Sequence, residues 1–288
     1  MIGEMRSFSV HQQPGPIASI DSLLSAITVL RDDIDAERSV DRKLWFRGHS
    51  KLCYLLRPTI GRPHRYAGKK RSFSREHEST LLHRFRRRCY AFFDRPISPA
   101  EAMFLARQHG LPTRLLDWTA NALFALYFVC SENAGKDGRL WAMLPHEETQ
   151  DVDVFDLVNI KTELEMLERA ERNGVKILFP FFNSPRLIAQ EGAYTIQPDP
   201  WRPLDCYHDE PFEDGELDIC RLYSWTIPSG AKCEIVRQLS GLGITRRAVY
   251  PDLDGIARSL WETQVLWMRD EGAGDDCDEN RRARRPTC

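Results

Sequence analysis

Nothing in this chain stays apolar for long. The longest run of hydrophobic residues, 122–130, spans nine positions, far below the roughly 20 that a membrane-spanning helix requires. Charge of one sign is also lacking. Forty Lys and Arg stand against 42 Asp and Glu in 288 residues, a formal net charge of −2, so no global field draws the protein to nucleic acid or to a membrane. The eight cysteines include no Cys-x-x-Cys pair and no regular spacing, which argues against a zinc site or a disulfide framework and predicts reduced thiols. Residues 1–13 lack a basic stretch followed by an apolar run, so they do not form a secretory signal. A phosphate-cradling glycine loop, a His-Glu-x-x-His pair and a Gly-x-Ser-x-Gly elbow are missing too. These absences predict a globular cytoplasmic protein with no metal and no membrane contact.

What is present reads as an α+β chain: one compact domain with N-terminal helices packed on a mixed, mainly antiparallel sheet. The boundaries are a disordered N-terminus at 1–16, the domain at 17–270, and a disordered charged tail at 271–288. Apolar residues at helical spacing predict helices over 20–33, 75–93, 160–173, 231–240 and 253–269. Ser98-Pro99-Ala100-Glu101 marks a helix start, and Gly110 stops that helix. Residues 111–118 read as a tight connection into a buried helix over 120–131, and 51–70 as a long basic loop. Strands are expected at 44–48, 139–144, 175–182, 186–189, 193–197, 221–226 and 248–250.

Three segments carry residues unusual for scaffolding. In Phe46-Arg47-Gly48-His49-Ser50 an arginine closes an apolar strand. Its planar fork suits a phosphate or carboxylate, and Gly48 lets a ligand approach the backbone; otherwise Arg47 locks the strand end by pairing with a carboxylate. The second segment runs from Gln108 to Thr119 and includes His109, Thr113, Arg114, Asp117 and Trp118. Asp117 or Thr119 could cap the next helix, Arg114 and Asp117 could pair, and His109 could close the preceding helix. In the third, Gln190-Glu191-Gly192-Ala193-Tyr194, a bulge would aim Glu191 into a pocket, whereas a plain hairpin turn would leave it in water. Arg84, Arg86, Arg87 and Arg88, preceded by Arg65, Lys69, Lys70 and Arg71, offer a basic surface for nucleic acid or merely a solvated helix side.

Phe46-Arg47-Gly48, the run Arg107 to Thr119 with Asn121 to Phe128, Gln190 to Thr195, and Leu242-Gly243-Ile244 with Val249 to Gly255 together resemble the FRG domain family. The order of these segments is also similar to arginine-, serine- and glutamate-based ADP-ribosyltransferases. That likeness implies an NAD-consuming enzyme that modifies a macromolecule or nucleotide, with a role as a toxin or antiphage effector. It implies that Arg47 grips the NAD phosphates, Thr113 or Thr119 holds the middle of the site, and Glu191 binds the nicotinamide ribose. Trp118 or Tyr194 would stack on a ring, and Glu191, Arg47 and His109 are the catalytic candidates. The substrate-binding set is Gly48, His49, Thr113, Arg114, Asp117, Trp118, Thr119, Gln190 and Tyr194. The alternative is a non-catalytic module that recognises a nucleotide or nucleic acid through Arg47, His109 and Arg114.

Overall fold

A seven-stranded sheet forms the spine of the protein, in the order β1 (Ser9–Gln12), β9 (Ile219–Ile227), β6 (Gly138–Pro145), β2 (Trp45–His49), β5 (Leu115–Thr119), β8 (Gly192–Ile196), β7 (Lys176–Leu178). The computed structural model describes residues 9–37, 43–146, 161–172, 174–180, 185–207 and 219–267. Every pairing in this sheet is antiparallel except β1 with β9. The expected α+β class, with helices on a mixed and mainly antiparallel sheet, is what the structure shows.

Helices cover one face in two groups. Helices α1 (Ile20–Glu37), α4 (Ala122–Cys130) and α7 (Ser229–Gly241) share a core with Phe46, Leu140, Ala142, Tyr223 and Trp225. Helices α2 (Arg75–Cys89), α3 (Pro99–Gln108), α5 (Glu163–Arg172) and α6 (Pro185–Gln190) contribute to a core with Leu115, Tyr194 and Ile196. The opposite face buries Trp45, Leu116, Trp118, Trp141 and Ala193 beneath Leu56, Leu204 and Tyr207. Alternation along each strand divides these sets, since neighbouring side chains leave a strand on opposite faces. Helices α8 (Arg246–Val249) and α9 (Leu253–Trp267) follow α7.

Local chemistry fixes where the helices begin. Ser98 accepts from the Glu101 N–H while Glu101 accepts from the Ser98 N–H, with Pro99 at the first position, as expected. Helix α4 is capped by Asn121, whose Oδ1 accepts from the Leu123 and Phe124 amides. Asp117 and Thr119 are therefore not the caps, because they lie inside β5. The buried Lys232 of α7 donates to the Ser50 carbonyl at 2.8 Å and reaches those of Glu132 and Asn133, tying the end of α4 to the loop after β2.

Several local expectations change. Residues 9–12, within the expected disordered N-terminus, form β1; residues 1–8 and 268–288 lie outside the described residues. The stretch 111–118 holds most of an interior strand rather than a mere connection. Two segments expected as strands, 186–189 and 248–250, lie instead in or against the short helices α6 and α8. The basic loop contains a small hairpin of β3 (His64–Tyr66) and β4 (Lys69–Arg71). Helix α2 ends at Cys89, leaving Phe92 83% exposed. Cys53, Cys89 and Cys130 are free thiols, whereas Cys233 is disulfide-bonded, against the expectation of reduced thiols throughout.

Candidate functional site

The sheet splits beside Arg47. Strand β2 pairs with β6 along all five of its residues, but with β5 only at Phe46↔Thr119. Beyond that pair the strands part, and carbonyls on the parting edge need other donors. Arg47 fills the gap: its Nη1 donates to the Asp117 carbonyl at 2.6 Å and approaches the Asp117 carboxylate at 3.4 Å. From the last turn of α3, Arg107 grips the same carboxylate in a two-pronged bond, with Nε at 2.9 Å from Oδ1 and Nη2 on Oδ2. Its Nη1 donates to Thr59 Oγ1 at 3.3 Å.

A cavity of about 430 Å³ opens on this split. Arg47, Arg62, Arg107, Arg186 and Arg246 line it together with two carboxylates, Asp117 and Glu132, and the rings of Tyr54, Phe128, Tyr194 and Tyr250. The guanidinium groups of Arg186 and Arg246 lie over the Tyr250 ring, 4.9 and 5.6 Å from its centroid. Arg186 is also paired with Asp252. Arg62 donates from Nε to the Arg57 carbonyl at 2.8 Å and makes no ion pair among the described residues. Gln108 Nε2 and Arg186 Nε are buried donors without a hydrogen-bond partner among the described residues.

Crowded, partly buried cations shift one another. Burial lowers the Arg47 pKa to about 10, against the pull of Asp117 and with added repulsion from Arg62 and Arg107. Burial and then Arg107 lower that of Arg62. Burial alone would push the Asp117 carboxyl up, but Arg107 and Arg47 outweigh it and hold it at about 2. Burial, then Arg47, drives His49 well below its ordinary value. Its Nε2 accepts from Arg47 Nε at 3.2 Å, so a neutral ring carries its proton on Nδ1. Burial also raises the Tyr194 and Tyr250 hydroxyls, Tyr250 to about 12.

Eight of the twelve sequence-derived site residues line this cavity: Arg47, Gly48, His49, Asp117, Trp118, Thr119, Gln190 and Tyr194. Several also have structural duties. A Cβ on Gly48 would collide with the Ala125 carbonyl oxygen and lie 2.9 Å from the Val129 nitrogen, so the glycine admits α4 rather than a ligand. Trp118 commits its indole N–H to Thr195 Oγ1 at 3.1 Å. Thr119 Oγ1 donates to the Gln190 carbonyl, and Gln190 Nε2 donates to the Val249 carbonyl at 2.9 Å.

The other four stand elsewhere. Arg114 is fully buried and paired with the equally buried Glu78 of α2, not with Asp117. Thr113 is buried beside it, accepting from the Ile60 amide through its carbonyl and from the Leu115 amide through Oγ1. His109 ends α3 as expected but is exposed, lining a separate apolar cavity with Phe85, Phe92 and Phe93. Glu191 turns its side chain to solvent, 61% exposed and 3.5 Å from Lys43. Its backbone links α6 to β8 at φ 42° and accepts from the Ala120 amide. On α2, Arg86 is locked to Glu163 at 2.6 Å, and Arg88 Nη1 turns back onto the Arg84 carbonyl.

Sequence reasoning passes over Arg62, Arg107, Arg186 and Arg246 as site residues. Arg107 stands at the head of the motif that contains Asp117, ten residues on, and Arg62 lies in a loop dense in basic residues. Those two carried a usable signal; Arg186 and Arg246 carry none locally.

The FRG domain family model matches residues 42–138, a span that holds β2, Arg62, Arg107 and β5. That stretch is similar to the FRG domain. The remaining cleft wall, from Arg186 to Tyr250, follows that span. No curated protein and no solved structure matches the chain. Among the described residues there is no group of three or more His, Cys, Asp or Glu able to hold a metal ion, and no helix long and apolar enough to cross a membrane.

Proposed function

We propose that the cleft binds a phosphorylated nucleotide, with NAD the first candidate. The observation that carries this reading is the gathering of five arginines against two carboxylates in one cavity, in a chain whose formal net charge is −2. Mutual repulsion and burial already lower the Arg47 and Arg62 pKa values, a cost that an entering phosphate relieves. The cavity volume of about 430 Å³ suits a small ligand. Aromatic residues line the cavity, with Tyr54 exposed enough to meet a base, and the unpartnered donors on Gln108 and Arg186 suit an acceptor-rich molecule.

ADP-ribosyl transfer is the enzymatic form of the same reading, favoured by a fixed, ionised carboxylate in the cleft with Arg47. As nicotinamide leaves with the bonding electron pair, positive charge develops on the ribose, and a nearby carboxylate stabilises it. Asp117 and Glu132 are the carboxylates that line the cleft and the candidates for this role, whereas Glu191 is exposed.

Calorimetry with NAD and ADP tests the binding, and nicotinamide release tests the turnover. Arg62→Ala removes a cation that makes no ion pair among the described residues, so it should weaken binding at least tenfold while leaving the melting temperature unchanged. Unchanged affinity in this variant overturns the nucleotide reading. Binding of NAD without nicotinamide release overturns the transferase form alone.

A further inference from the structure

From Arg42 to Arg75 the chain contains no aspartate or glutamate and eleven lysines and arginines. Part of that charge lines the cleft through Arg47 and Arg62. The next part is carried out of it: two residues after Arg62 the chain enters the β3–β4 hairpin, where Arg65, Lys69, Lys70 and Arg71 are exposed and make no ion pair among the described residues. The hairpin's base is fastened to the site. His64 Nε2 lies 3.2 Å from the Thr59 carbonyl, and Thr59 Oγ1 accepts from Arg107. The His64 ring packs edge-on against Phe73, whose carbonyl accepts from the Trp201 indole N–H.

The charge arrangement works against the hairpin's own stability. Arg65 sits directly opposite Lys70, and like charges facing across a strand pair are unfavourable. The turn at Ala67 and Gly68, with φ of 49° and 74°, already places an alanine in left-handed backbone. Four cations on a tethered ribbon are what a chain of phosphates would neutralise.

The geometry points to a polynucleotide as the physiological ligand, its terminal nucleotide held in the arginine cleft and its backbone running out along the β3–β4 hairpin. This inference rests on the nucleotide reading of the cleft and adds a second, separable surface. Of the basic surface expected from the sequence, it keeps the hairpin and sets aside α2, where Arg86 is committed to Glu163.

The test uses the full chain, a fluorescently labelled single-stranded RNA and its DNA counterpart, and a variant carrying Arg65→Gln, Lys69→Gln, Lys70→Gln and Arg71→Gln. Wild type should bind an oligonucleotide with affinity that falls steeply with salt. The variant should bind at least tenfold more weakly, with the log–log salt slope shallower by about 3, since each phosphate that a cation neutralises on a single strand adds roughly 0.7 to that slope. Its affinity for ADP and its melting temperature should stay at wild-type values. An unchanged oligonucleotide affinity and slope overturns the inference. So does equal competition by polyglutamate of matched charge, which would assign the hairpin to acidic protein. If wild type binds ADP but no oligonucleotide, the hairpin inference fails and the cleft reading stands; if it binds neither, both fail.

Discussion

Replacing Arg114 by methionine separates scaffold from site more sharply than any change in the cleft. Arg114 and Glu78 are both 0% exposed, joined by Nη2–Oε2 at 2.9 Å and Nε–Oε2 at 3.1 Å, while the Arg114 amide donates to Glu78 Oε1 at 2.9 Å. Methionine keeps much of the volume but strands a buried carboxylate, and breaking one side of such a pair costs roughly 3–5 kcal/mol. For a domain of this size that corresponds to a melting temperature lower by roughly 10 °C. The second half of the experiment tests the cause. Glu78→Gln in the Arg114→Met background removes the stranded charge but retains an acceptor for the Arg114 amide, and should recover more than half of the deficit. Urea titration and thermal melts read both numbers. Nucleotide affinity, measured where each variant is folded, should remain at the wild-type value. A single variant that melts like wild type yet no longer binds nucleotide would refute the reasoning and return Arg114 to the site.

Three further outcomes follow from the electrostatics. Glu191→Gln should leave nucleotide affinity within about twofold and stability within about 0.5 kcal/mol of wild type, as expected for an exposed side chain away from special contacts; calorimetry and a melt check both. Nucleotide binding needs the charged form of Arg47, whose pKa is lowered to about 10, so affinity should hold below that pH and fall as pH rises through it. A flat profile to about pH 11, as an unperturbed arginine would give, removes Arg47 from the binding set. The Asp117 carboxyl is held at about 2, below its unfolded value of about 3.9. Its contribution to stability is therefore present above about pH 4 and lost as pH falls toward about 2. Asp117→Asn should lack that part of the acid transition in pH-dependent melts, and an acid profile identical to wild type would contradict the clamp by Arg107.

Much of the fold is legible locally, and the exceptions share a physical cause. Helix α3 announces itself through Ser98, Pro99 and Glu101, because a capping box is a contact between near neighbours. Strand β5 does not, since Leu115, Leu116, Asp117, Trp118 and Thr119 show no clean alternation: a strand covered on both faces is apolar on both, and its pairing partners β2 and β8 lie far along the chain. Helix α6 is six residues long, too short to display a helical period. Arg47 and Asp117 are legible as polar residues set in apolar surroundings. Their meeting is not, because the sheet split that joins them is set by register, and Arg186 and Arg246 reach the same cavity from short helices with no pattern of their own. Proximity along the chain suggests pairing Arg114 with Asp117, whereas Arg114 finds Glu78, 36 positions away.

Two absent methyl groups set the dimensions of the cleft. Gly48 on β2 and Gly138 on β6 let α4 descend until its Ala125 and Val129 touch the strands, and any Cβ there would strike them. Phe128, Ser131 and Glu132, on or just after that helix, form the wall facing Arg47. The approach of this wall is thus set by two positions on the strands that carry no side chain. A single added carbon at residue 48 would press on the Ala125 carbonyl and on Val129, and so on the helix that carries this wall.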